Sequence, residues 1–167
     1  MTISIGRPWS GERLFLAFVQ PCLDARVRAS TGNAMGADAP RFGTGARELY
    51  VEMWRTGSEP SRDMLRRDFP TPCGELERFA ASRGVVDPDL VWAHDMVADF
   101  WRTAHKQSDA HCRVIAATVL STEYPNEVVS VLNDRAERMY VVNLLGIPIE
   151  EGDLVSVHKL IICERRT

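Results

Sequence analysis

Thiol and imidazole side chains are the groups in this chain best suited to soft-metal or redox chemistry, and two of them bracket one apolar region. Cys112 opens a run rich in Val, Ile and Thr, and His158 closes Glu151-Gly152-Asp153-Leu154-Val155-Ser156-Val157-His158. A thiolate and an imidazole favour late first-row metals over calcium or magnesium. Two ligands from one chain leave positions open for a partner, whereas a structural zinc site is closed. His111 is a third candidate, although adjacent residues on a strand point to opposite faces. The competing reading makes Cys112 a small buried side chain. His158 shares strand parity with Ser156, Leu160 and Ile162, which leaves the core face undecided.

A rival set lies upstream. His94, Asp95, Asp99 and His105 fall on one expected helix. Asp95 and Asp99 are one turn apart and share a face. His94 and His105 lie about three turns apart, roughly 16 Å along the axis, too far to hold one ion directly. Glu48 and Glu52 on a second helix are candidates for the missing ligands of a metalloenzyme site. A solvated acidic face is the plainer account. No Gly-x-Ser-x-Gly elbow and no Gly-Lys-Ser/Thr phosphate loop occurs.

The elements that must position these groups change character near residue 110. Upstream, the apolar period is helical. Leu14, Phe15, Phe18, Val19 and Cys22 make a stripe behind a partial cap at Ser10, and Pro21 is expected to kink or break it. Residues 30–45 read as a glycine-rich loop. Helices are expected over 46–55, briefly over 62–67, over 74–82 after breaks at Pro70 and Pro72, and over 88–106 behind the Asp87-Pro88 cap. Downstream, the Val/Ile/Thr-rich runs 113–121, 127–132, 139–145 and 154–163 predict four strands. The expected class is α+β: a helical region over 1–109, then a small antiparallel OB-like β-barrel over 110–167.

Composition sets the frame. The 167 residues are 45% apolar and 26% charged, as in ordinary globular proteins. Net charge is −1 over 1–110 and −2 over 111–167, so a general phosphate-binding surface for nucleic acid is not expected. No apolar run approaches the roughly 20 residues that span a bilayer. The N-terminus lacks a signal-peptide layout, and the cysteines at 22, 73, 112 and 163 form no Cys-x-x-Cys, so a cytoplasmic chain with reduced thiols is expected.

Cys112-Arg113-Val114-Ile115-Ala116-Ala117-Thr118-Val119, followed by Gly152-Asp153-Leu154-Val155-Ser156-Val157-His158, resembles the small hydrogenase-assembly chaperones of the HypC/HupF family. Those begin with Cys-x-x-Ile-Pro-Gly-x-Val and end their barrel with Gly-Asp-x-Val-x-Val-His. The chain is also similar to a larger bacterial group that places such a barrel after a helical region and continues into Cys-(Asp/Glu)-Arg, here Cys163-Glu164-Arg165. The resemblance implies that Cys112 and His158 contact iron and that the barrel hands it between protein partners. Ala116-Ala117 replaces the family's Pro-Gly, Lys159-Leu160-Ile161 replaces its Gly-Phe-Ala, and Cys112 is internal rather than N-terminal. The expected role is an accessory or scaffold protein docking on a partner protein. The alternatives are a small metalloenzyme sited in the helical half, or a structural subunit without metal.

Overall fold

The structure, a computed structural model, describes residues 9–31, 46–106, 108–109 and 112–166, without the side chains of 23–31 and 46–47. His111 and residues 32–45 of the expected loop lie outside the described residues. The chain is α+β. Six helices, α1 (Gly11–Thr31), α2 (Ala46–Thr56), α3 (Arg62–Asp68), α4 (Pro70–Ser82), α5 (Pro88–Val91) and α6 (His94–Thr103), precede the sheet among the described residues. The strands are β1 (Ile115–Ser121), β2 (Val128–Asn133), β3 (Arg138–Val142), β4 (Leu154–His158) and β5 (Ile161–Arg165).

The strands bond in the order β1-β2-β3-β5-β4, and β4 returns to β1, so the sheet closes on itself. It is mixed, not purely antiparallel as expected, because β5 runs parallel to β3 through the Val142–Ile161 pair. Among the described residues, five strands replace the expected four. The run 154–163 folds back on itself at Lys159-Leu160, whose φ angles of 50° and 65° suit a two-residue hairpin turn. Neither residue is a glycine or asparagine, so the usual turn signal was missing from the sequence.

Two apolar clusters result. One fills the inside of the closed sheet, from Ala117 and Val119 across Val131 and Val141 to Val155, Val157 and Ile162. The other joins the helices to the outside of β4 and β5. It gathers Phe15, Phe18, Leu76, Val97 and Trp101, with Val114 and Cys163 contributed by the sheet side. Leu14 to Val19 are all buried because α1 is covered both by α6 and by β5, which explains its unbroken apolar run. Phe18 stacks on Trp101 with centroids 5.4 Å apart and planes 8° apart. Truncating such a ring to alanine costs about 3–5 kcal/mol.

Three helix expectations change for backbone reasons. Pro21 does not end α1, which runs on to Thr31 with the proline inside. Prolines 70 and 72 sit in the first turn of α4, where an amide hydrogen has no helical partner to lose, so the helix begins at Pro70 rather than after it. The helix expected over 88–106 is two helices, interrupted where Ala93 takes up extended backbone (φ −65°, ψ 145°) as the N-cap of α6.

Candidate functional site

His158 ends β4, and its surroundings are set by a bulge in the opposite strand. Ser156 pairs with Glu164 and Val157 with Ile162, so Cys163 is the extra residue of β5. A bulge re-aims side chains. Here Ile162 enters the inner cluster while Cys163 joins the helical one. Ser156 and His158 likewise meet the helical layer, and both are fully buried. All four residues from Val155 to His158 are therefore covered, two from inside the sheet and two by helices.

The His158 ring is fixed by α1. Its Nδ1 lies 2.8 Å from the Phe18 carbonyl oxygen, a contact that requires the proton on Nδ1. Nε2 is then the bare nitrogen, and Cys22 Sγ lies 4.0 Å from it. Pro21, inside the same helix, lacks the amide hydrogen that would reach back four residues to Ala17. Trp101 and His105 complete the surroundings, with ring centroids 5.8 and 5.9 Å from the imidazole.

Burial decides the charge state. Desolvation pushes the His158 pKa down to about 4, aided by His105 and Lys159 and opposed by the carbonyls of Phe18 and Cys112. His105 is also pushed down to about 4, by burial first and then by Lys106 and Lys159, against Asp109. Its Nδ1 lies 3.1 Å from Glu75 Oε2, which with a neutral ring is a hydrogen bond rather than an ion pair. Complete burial raises the Cys163 thiol well above its ordinary value, so it stays protonated.

Cys112 is close to His158, but the Cys112 group acting on the ring is its backbone carbonyl. Its side chain is nearly buried, with 9% of the residue exposed. The thiol in contact with the imidazole is Cys22, which in the sequence is only one position of a helical stripe. The available signal was its position four residues after Phe18, on the same face of α1.

The upstream residues are engaged separately. His94 Nδ1 lies 2.8 Å from the Trp9 carbonyl, Asp99 pairs with Arg83, and Glu52 pairs with Arg55 at 2.6 Å. Asp95 and Glu48 are exposed. Among the described residues, no three His, Cys, Asp or Glu side chains are grouped to hold a metal ion.

A buried polar network that no sequence motif marks also involves β4, the strand that carries the histidine. Glu164 receives two hydrogen bonds from Arg102, Nε at 2.6 Å and a second nitrogen at 2.9 Å. Ser156 Oγ donates to Glu164 at 2.6 Å and accepts from Arg166 Nε at 2.8 Å. Glu164 is 3% exposed, so its charge is tolerated only because these donors surround it. This network and the His158–Phe18 bond tie the sheet to α6 and α1 respectively.

The chain matches no protein-family model, no curated protein and no solved structure in the comparisons made. Among the described residues, no helix is long and apolar enough to cross a membrane.

Proposed function

We propose that the chain is an accessory or scaffold protein whose OB-like β-barrel docks on a protein partner. The closed strand order with β3 and β5 parallel supports the OB-like reading. The observation that carries the docking role is the β4–β5 turn. Lys159 and Leu160 both hold positive φ without being glycine, and Leu160 is 55% exposed. Backbone strain of this kind costs of order 1 kcal/mol per residue and persists where the surrounding structure holds it in place. An aliphatic side chain on a rigid turn, immediately after a buried histidine, suits insertion into an apolar cleft of a client protein.

The resemblance to hydrogenase-assembly chaperones adds a client class, a protein whose metal centre is being built. Iron contact through Cys112 and His158 is not part of the reading. The group Cys112 turns to the imidazole is its carbonyl, and the thiol in contact with the ring is Cys22. In this reading any iron belongs to the client.

The test is co-elution. Full-length tagged protein, purified anaerobically from its native host, should leave a sizing column in a complex of fixed stoichiometry. Leu160→Asp should abolish the complex and leave the circular dichroism spectrum unchanged. A wild-type chain eluting at its own mass, or a complex indifferent to Leu160→Asp, overturns the reading.

A further inference from the structure

Cys22 and His158 meet across 136 positions of sequence, with Sγ 4.0 Å from Nε2. The imidazole side has the features of a metal ligand. Its Nδ1 lies against the Phe18 carbonyl, the usual outer partner of a ligating histidine, which leaves Nε2 as the donor atom, with the Cys112 carbonyl also beside the ring. The ring is fully buried and cannot turn to find water. Cys22, by contrast, is only partly buried and offers a route in from solvent.

We propose that Cys22 Sγ and His158 Nε2 together bind a soft, closed-shell cation of the Cu(I) type. The separation is informative. With bonds of about 2.3 Å to sulfur and 2.0 Å to nitrogen, the two donors would lie ~3.5 Å apart at a tetrahedral angle and ~4.3 Å apart in line. The observed 4.0 Å falls between these limits and suits an open angle. Wide angles are those of ions content with two or three donors. Thiolate and imidazole are donors such an ion prefers, whereas iron and zinc need a fuller shell. Binding exchanges the Cys22 thiol proton for the cation and releases one proton to solvent, with no change of oxidation state. This goes beyond the docking role and is independent of it, since it involves neither Leu160 nor the client.

The experiment is an anaerobic titration of the full chain with Cu(I), or with Ag(I) as its redox-inert analogue, against a chelating competitor. Tryptophan fluorescence and native mass spectrometry give the readouts. The first equivalent should bind most tightly, quench Trp101 and show one sulfur and one nitrogen neighbour by X-ray absorption. Cys22→Ser should weaken it by at least about 100-fold, more than outer-shell partners typically cost. His158→Gln should weaken it as well, and Cys73→Ser, on α4, should leave it unchanged. Cys22→Ser carries the test if His158→Gln fails to fold. A first equivalent that survives Cys22→Ser, or metal spread over the thiols without preference, overturns the site.

Discussion

The Nδ1 proton of His158, on the last residue of β4, is donated to the carbonyl of Phe18, in the middle of α1, at 2.8 Å and across 140 positions of chain. That bond joins the sheet to the helical layer at a point where neither side reaches water. It also gives the imidazole two unlike nitrogens, one occupied by backbone and one facing a thiol. The contact fixes the orientation and tautomer of the ring, while burial keeps it neutral.

Acid should loosen the seam. Both His158 and His105 titrate at about 4 in the folded protein and at about 6.5 in the unfolded chain. Between those values the unfolded state binds more protons, so stability is complete above about pH 6.5 and falls as pH drops towards 4. On the order of 2 kcal/mol per ring should be lost between pH 7 and pH 5. Urea midpoints measured at the two pH values check this. His105→Phe should reduce the difference, and a midpoint that does not move would show that neither ring is buried neutral.

Glu164 should be worth more than a surface carboxylate. Its replacement by alanine removes the bidentate partner of Arg102 and the acceptor of Ser156 Oγ. Breaking a buried pair on one side costs about 3–5 kcal/mol, and the partial exposure of Arg102 places the expectation at the lower end. A double-mutant cycle with Arg102→Ala should give a coupling of about 1–3 kcal/mol. Additive single-mutant effects would mean that the network is electrostatically idle.

The β4–β5 turn should stabilise when its strain is relieved. Leu160→Gly removes a Cβ from a position with φ of 65°, and a gain of up to about 1 kcal/mol is expected. The same variant should lose the partner complex. A gain in denaturation midpoint together with a loss of docking is the signature of a residue kept for function. A loss of stability would instead make Leu160 a packing residue.

Runs rich in Val, Ile and Thr made the strands legible, and helical spacing of apolar residues with a few caps made the helices legible. Asp87 accepts from the Asp89 amide at 2.8 Å, as its position before Pro88 suggests. What escaped was contact-dependent. The parity of 154–163 carried straight through Lys159-Leu160 because no Gly or Asn marks the turn there. The bulge at Cys163 is invisible in composition and yet decides that Cys163 and Glu164 both reach the helical layer. Cys22 reads as one more apolar position on α1, and only the packing of that helix on β5 brings it to His158.

The break between α5 and α6 offers the sharpest test of packing. Gly11, the first residue of α1, sits so close to this break that a Cβ built on it would lie 1.8 Å from the Trp92 carbonyl oxygen. The obstruction is backbone, not a flexible side chain, so it cannot swing away. Gly11→Ala must push α1 away from the α5–α6 junction, disturbing the contacts of Phe15 and Phe18 with Trp92 and Trp101. A loss above about 3 kcal/mol is expected, in the range reserved for overpacked cores and disrupted networks. Gly74→Ala is the control. Its Cβ would meet only the Arg78 side chain at 3.6 Å inside α4, and helix propensity predicts a gain of about 0.5–1 kcal/mol. Guanidinium melts of the two variants should therefore move in opposite directions. If Gly11→Ala unfolds at the wild-type midpoint, the close approach of α1 to Trp92 does not exist in solution.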